Sequence, residues 1–412
     1  MLEESTGRGG GLDDNLHDAL QGRAAQDTIW RIHFRTNNTE LLHSVVSSLV
    51  ADGEKTRSNS VESFVVQNNG MSPVDLSVFF SRYRLSKLKR LHLHGCRVSP
   101  LDLVGSQTMN LTTLSLVTTY LYPIPALPQL LGILPSNPLL QSLALLPTMF
   151  HQVPDGDGSS SPVPLRHLKA FDLTSDFRYA CKSLNRLELP DRMDNMKLTL
   201  YNCPPEFPRT LGPYIGDHVR RRGRYPGGGL GIHAYPTLDS LDLNIGDVHR
   251  DDDPTKVKWF VEVIAVMAGH LGYHDQVCRV YFDLIAHIPQ GQVINLETML
   301  PVPGSEELCV EMCDLEYLRL LRVDLSTWFT EPEISGSHTP RDLLRSQDRL
   351  EITRAFLSGS WSPLTNFLSN RAAVGNRISS LKLSGDWRID EDVIKSIECV
   401  VDVFQYDDMA SD

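Results

Sequence analysis

Residues 88–93 read Leu88-Lys89-Arg90-Leu91-His92-Leu93, and the same leucine spacing returns as LTTLSL at 111–116 and LQSLAL at 140–145. The three phrases start 23 and then 29 residues apart. Chains whose repeats each supply one strand and one return segment recur within a window of about 20–29 residues. In a strand of this form the leucines share one face and the residues between them share the other. This periodicity favours a surface that grips another molecule over a fold wrapped around a small-molecule pocket.

Working outward, Val61-x-x-Phe64-x-Val66-x-Asn68 gives a further phrase ending in Asn. In leucine-rich repeats such an Asn satisfies backbone groups where the strand turns away. One apolar marker per strand (Phe64, Leu91, Leu114, Leu143, Phe171, Leu198) gives steps of 27, 23, 29, 28 and 27 residues. Thr28–Arg35 alternates like a strand, and Thr39 is placed to cap a helix over 40–50. Return helices are predicted over 73–81, 127–134 and 177–187, and a loop over 154–164. The step breaks after Leu198: residues 204–257 hold a helix at 208–219, a basic run, a Gly-rich loop and strand-like pieces at 231–235 and 241–245. Beyond them, 259–266, Ile294/Leu296, Leu318/Leu320, Leu350/Ile352, Leu381/Leu383 and Val401/Val403 continue as strands, with helices near 276–288, 304–312, 339–346, 361–374 and 388–398.

The fold class expected is therefore α/β: an irregular leucine-rich-repeat solenoid, a curved and mostly parallel sheet with helices on its convex side, carrying a hairpin insertion at 204–257. Residues 1–26 read as a disordered lead-in, 27–406 as the repeat body without an internal domain break, and 407–412 as a tail.

Composition narrows the function classes. The net charge of −12 argues against holding nucleic acid through its phosphates. The most apolar stretch, 260–268, includes Glu262 and is too short to span a bilayer, and the N-terminus lacks a secretory apolar core. Seven scattered cysteines form no C-x-x-C pair and read as reduced thiols in an intracellular chain, cytoplasmic or nuclear. The sequons at Asn37 and Asn110 are then incidental. No membrane partner, cofactor or metal is expected.

Several phrases resemble the variable leucine-rich F-box-type proteins of mushroom-forming fungi: LHLHGCRVS (91–99), QLLGILPSNPLLQSLAL (129–145), PVPLRHLKAFDLTSDF (162–177), LNRLELPDRMDNMKLTLYNC (184–203), LGPYIGDHVRRRGR (211–224), DLIAHIPQ (283–290) and WSPLTNFLSNRAAVGNRISSLKLSG (361–385). They run in that family's order over about four-fifths of the chain. The resemblance implies a repeat region that holds a protein target for a ubiquitin ligase. In such proteins an F-box docks on the adaptor of a cullin–RING ligase. That module shows a Leu-Pro start followed by helical spacing, and residues 1–60 contain no proline. The adaptor is thus a partner only if an F-box lies upstream; the alternative is a stand-alone scaffold or inhibitor.

If the leucines point inward, a partner-binding row runs through Val65 and Gln67, His92 and His94, Ser115 and Val117, Ala144 and Leu146, Asp172 and Thr174, then Lys197, Thr199 and Tyr201, continuing at Arg319 and Leu321 and at Lys382 and Ser384. From it we single out Gln67, His92, His94, Ser115, Asp172, Lys197, Tyr201, Arg319 and Lys382. The competing reading is that these positions are simply solvated or covered by loops. His92 and His94 have metal-ligand spacing on a strand but no evident third ligand. Asp155, Asp157 and Ser159 open like a calcium loop whose twelfth position is Arg166, not Glu. Arg220, Arg221, Arg222 and Arg224 read as a solvated, dipole-complementing helix end. The glycines at 227–231 and the Gly53–Thr56 piece lack the context of nucleotide-binding loops, and 251–253 reads as a solvated turn. There is no G-x-S-x-G elbow, no H-E-x-x-H and no activated cysteine motif, so no enzyme is expected.

Overall fold

The structure, a computed structural model, describes residues 31–51, 61–70, 72–82, 85–99, 103, 110–117, 120–121, 131–146, 162–222, 228–236, 240–249, 257–267, 280, 283–289, 293–298, 320–324, 349–353, 361–385 and 389–408. The lead-in, the helices predicted near 304–312 and 339–346, the calcium-like and glycine-rich pieces, most of the 154–164 loop and Arg319 lie outside them. The chain forms two compact units, Met1–Leu200 and Tyr201–Asp412, where the sequence reading places one repeat body.

The first unit begins with β1 (Arg31–Thr36), α1 (Thr39–Ala51), β2 (Ser63–Asn68), β3 (Val74–Asp75), α2 (Ser77–Arg82), β4 (Arg90–His94), β5 (Cys96–Val98), β6 (Thr113–Val117) and β7 (Tyr120–Leu121). It continues through β8 (Ser142–Leu146), β9 (Val163–Pro164), β10 (Ala170–Asp176), α3 (Phe177–Leu184), β11 (Leu187–Glu188) and β12 (Asn195–Cys203). Its main sheet has the order β1-β2-β4-β6-β8-β10-β12. The pairings from β1 to β10 are parallel. Phe64, Leu91, Leu114, Leu143 and Phe171 stand in one register line, as the sequence markers require.

The repeat is more regular in three dimensions than in the sequence. Six phrases, 61/64/66, 88/91/93, 111/114/116, 140/143/145, 168/171/173 and 193/196/198, each keep all three apolar side chains at 1% exposure or less. Two residues before the central marker, one carbonyl accepts two amides from the next strand. Glu62 O takes Lys89 and Arg90, Lys89 O takes Thr112 and Thr113, and Thr112 O takes Gln141 and Ser142. Gln141 O likewise takes Lys169 and Ala170, and Lys169 O takes Asp194 and Asn195, all at 2.7–3.1 Å. This ladder makes Met196, not Leu198, the counterpart of Phe171. The sequence markers follow Leu198 in this strand; Met196 takes the central position because methionine fills a core site of leucine volume.

Asn68 joins the segments around the end of β2. Buried at 2% exposure, it donates from Nδ2 to Ser72 O (2.7 Å) and Gly95 O (2.9 Å). Its Oδ1 accepts from Gly70 N (3.1 Å) and Thr39 Oγ1 (3.3 Å). Thr39 is therefore engaged in the loop above the strand, and the α1 cap is Asn38, whose Oδ1 accepts from Glu40 N (3.0 Å) and Leu41 N (3.1 Å). Gly95 leaves β4 at φ +63°, and a Cβ there would sit 2.2 Å from Asn68 O, so only glycine fits. Asn137 plays a comparable part, donating to Ile133 O and accepting from Leu111 N. Phe79 and Phe80 of α2 close over Phe64 with ring centroids 4.8 and 5.6 Å away.

The second unit contains α4 (Phe207–Arg222), β13 (Gly228–Pro236), β14 (Ser240–His249), β15 (Lys258–Met267), β16 (Val293–Thr298), β17 (Leu320–Asp324), β18 (Arg349–Thr353), α5 (Ser362–Ala373), β19 (Ile378–Gly385), α6 (Glu391–Glu398) and β20 (Val401–Asp408). β15, β14 and β13 pair antiparallel, and β13 through β20 pair parallel. The predicted hairpin exists, but it lies within the sheet rather than being carried on it. Leu230, Ile232, Leu241, Leu243 and Ile245 are buried, and β13 takes β14 on one edge and β16 on the other. A strand pair with one fully apolar face and open edges is stable only when sheet neighbours complete it.

Two strands of this unit are set one residue away from the sequence reading. Leu321, not Leu320, pairs with Leu296 and Leu350. Phe404 and Tyr406 pair with Leu381 and Leu383, while Val403 is 49% exposed. A slip of one residue exchanges the faces of a strand, so short apolar runs such as Leu318–Leu321 and Val400–Phe404 do not fix it alone. The helix α4 sits close to the turn at 283–288: a Cβ on Gly212 would meet the His287 ring and one on Gly216 would lie 2.1 Å from His287 O. α5 ends at Gly375 (φ +81°), with Asn376 N bonded to Arg371 O (3.0 Å) and the Arg371 Nε donating to Asn376 O (2.9 Å).

Candidate functional site

In the first unit, alternation carries three register lines on the face opposite the buried leucines. One runs Arg31, Ser63, Arg90, Thr113, Ser142, Ala170. The second runs His33, Val65, His92, Ser115, Ala144, Asp172, and the third Arg35, Gln67, His94, Val117, Leu146. Gln67, His92, His94, Ser115 and Asp172 thus share one face as the sequence reading requires, and all are half-buried. Lys197 faces the same way on β12 by its position between buried Met196 and Leu198, and Tyr201 at the end of that strand is 42% exposed. Thr174 is buried instead, beside Ser175.

His92 anchors the face. Its Nδ1 is 2.9 Å from Ser115 Oγ and its Nε2 is 3.4 Å from the Gln67 amide nitrogen. An amide nitrogen only donates, so His92 Nε2 accepts from Gln67 and Nδ1 carries the proton given to Ser115. This is a neutral imidazole. Burial, then the nearby His94 and His33, hold its pKa below the ordinary histidine value. His33 Nε2 finds no hydrogen-bond partner among the described residues. Arg35 and Arg90 are exposed and carry no ion pair among the described residues.

The sequence reading missed Arg31, His33, Arg35 and Arg90. Arg90 follows from the alternation that selects His92 and His94. The β1 residues needed the register of β1 on β2, which no local pattern contains.

In the second unit one register line runs Glu262, Asn244, His233, Glu297, Arg322, Glu351, Lys382, Gln405. Lys382 is therefore on the row, but the β17 position is Arg322; Leu321 belongs to the apolar register. A register shift between Ile245 and Gly246 leaves Phe260 as an extra residue and brings Trp259 opposite Gly246. Trp259, 42% exposed, stacks on His233 with centroids 5.6 Å apart.

The basic run at the end of α4 divides. Arg220 is exposed and pairs with Asp217, and Arg221 is exposed. Arg222, which the sequence reading leaves solvated, is 8% exposed. Its Nε lies 3.3 Å from Asp247 Oδ2 and its guanidinium 4.3 Å over the Phe260 ring. The bulge that sends Phe260 to the helix side creates this pocket.

Among the described residues no group of three or more His, Cys, Asp and Glu side chains could hold a metal ion. Cys96 and Cys203 are buried, Cys181 is half-buried and Cys399 is exposed. Burial pushes the Cys96 thiol up to about 12 and Cys181 to about 11. No helix among the described residues is long and apolar enough to cross a membrane. No protein-family model matches this chain, and no curated protein matches it in sequence.

Proposed function

We propose that each unit is built of leucine-rich-type repeats and that the chain is a protein-interaction module, the target-holding region of an F-box-type ubiquitin-ligase subunit. It binds through its outward strand face and performs no chemistry of its own. The observation that carries this reading is the six-fold recurrence of a buried apolar triplet, successive triplets being joined by five doubly accepting carbonyls. Such a frame fixes every second side chain outward in rows, and a row can change its residues without disturbing the core. The order of the phrases that resemble fungal F-box-type proteins supports the same assignment.

Affinity capture with the full chain tests it. The double variant Ser115→Arg/Asp172→Arg adds bulk and charge to the face, and Lys395→Ala alters an exposed position on α6. Loss of recovered proteins by about tenfold with the first, and none with the second, supports the reading. Equal recovery with both refutes it. The cullin–RING adaptor among the recovered proteins supports ligase delivery; targets recovered without it favour a stand-alone scaffold.

A further inference from the structure

The outward positions of β1, β2, β4, β6 and β8 are Arg31, His33, Arg35; Ser63, Val65, Gln67; Arg90, His92, His94; Thr113, Ser115, Val117; and Ser142, Ala144, Leu146. Three arginines and three histidines stand there, and no acidic residue does. The first carboxylate on the face is Asp172, three strands beyond His92 on the same line. At the rim, Glu62 is taken by Lys89 at 3.0 Å. In a chain of net charge −12, a concentrated basic face is a local feature and not a reflection of composition.

Resting on the interaction reading above, we propose that this face of β1, β2 and β4 docks an extended acidic segment of a protein partner, and that docking tightens as His92 takes up a proton. Size selects the occupant. Strands about 4.8 Å apart and residues about 3.4 Å apart along them put Arg31, Arg35 and the β4 residues within a patch about 10 Å by 14 Å. That spans about four residues of extended peptide, enough for two or three carboxylates. It is far below the 600 Å² or more that a nucleic-acid module buries, and the acidic remainder of the chain repels a long polyanion. Arg35 and Arg90 supply fixed donors suited to carboxylates. His94 lies beside His92.

The proton dependence follows from the geometry of His92. In the neutral ring Nε2 accepts from the Gln67 amide nitrogen. A proton on Nε2 would face that donor, so charging the ring requires Gln67 to turn its carbonyl oxygen inward or a carboxylate to replace it. The titratable and charged groups facing His92 are His94 and Arg90 on its own strand, His33, Arg31 and Arg35 from β1, and Asp172 from β10; β2, β6 and β8 present none. Burial, and then His94 and His33, keep His92 neutral when the face is empty. A bound carboxylate reverses the field and favours the proton, so binding and protonation are linked.

Fluorescence anisotropy with the full chain and a labelled ten-residue polyglutamate, at low salt and pH 8, 7 and 6, tests the proposal. The expected result is binding that tightens about tenfold from pH 8 to pH 6. Arg35→Glu/Arg90→Glu should weaken it at least tenfold at every pH with the far-ultraviolet spectrum unchanged. His33→Gln/His92→Gln should reduce the pH 6 to pH 8 affinity ratio to about two. A ten-residue polylysine should not compete. Three results overturn the proposal: no polyglutamate binding at pH 6, binding indifferent to the arginine reversal, or tighter binding of a ten-nucleotide single-stranded DNA. If polyglutamate fails while Ser115→Arg/Asp172→Arg still abolishes protein capture, the acidic partner falls and the interaction reading stands.

Discussion

Replacing Asn68 with alanine tests whether the repeat frame, and not only the leucine core, holds the first unit together. The amide makes four hydrogen bonds, to Ser72 O, Gly95 O, Gly70 N and Thr39 Oγ1. It joins the end of β2 to the α1 start, to the 69–72 turn and to the Gly95 bend. A neutral intramolecular hydrogen bond contributes about 0.5–1.5 kcal/mol net, and a buried group left unmatched costs about 1–3 kcal/mol. The Gly95 carbonyl keeps a bond from Val74 N (3.2 Å), and Ser72 and Thr39 reach water, so the loss should fall near 2–4 kcal/mol and not at the sum of four full penalties. With a urea slope of about 1–3 kcal/mol per molar, the first unit's transition should move down by about 1–2 M. Intrinsic fluorescence cannot be relied on to separate two units, so amide hydrogen exchange across 63–68 and 90–96 is the decisive readout. Asn68→Asp should be at least as harmful, because it removes both donations and aims a carboxylate at two carbonyls. Asn69→Ala, at an exposed neighbour, is the control. A loss below about 0.5 kcal/mol for Asn68→Ala would refute the bridging role and return the stability to the apolar triplets alone.

Gly95→Ala should destabilise the same unit by more than about 2 kcal/mol, from positive φ and a Cβ against Asn68 O, whereas Gly132→Ala, with nothing within 4 Å, should be neutral or slightly stabilising in the same urea titration. Cys399 should react with iodoacetamide at pH 8 at least tenfold faster than Cys96, whose buried thiol is held at about 12; comparable rates measured by peptide mass spectrometry would contradict the packing of β5. For the unliganded chain, His92 has its native pKa below 6.5, so the unfolded state binds more protons between the two values. Stability should therefore fall as pH drops from about 7 through 6.5 toward the native value, and His92→Gln should remove that part of the slope; an unchanged slope would place the titration elsewhere.

The leucine phrase at 88–93 carried the strand type, the parallel register of five markers and the facing of His92, His94, Ser115 and Asp172. It did so because alternation and spacing are local properties that burial enforces. Asn68 was likewise visible at the end of its phrase, and the structure supplied its partners, Gly95 among them. In the sixth phrase Met193 and Met196 meet the core's demand for volume, while the visible pair Leu198 and Leu200 sets the sequence marker two residues too far along. Arg222 was hidden because its partners, Asp247 and Phe260, come from β14 and a bulge in β15.

What the sequence by itself determined is the period, the inward residues of well-marked strands and the class of fold. The tertiary structure alone decided the register of β17 and β20, where adjacent apolar residues make two facings equally plausible until a neighbouring strand selects one. It also decided that 228–249 completes a sheet, because an apolar strand face is satisfied only by neighbours that may be distant in sequence. And it alone placed His33 and Arg35 beside His92: side chains on different strands become neighbours through backbone pairing, which no local run of residues encodes.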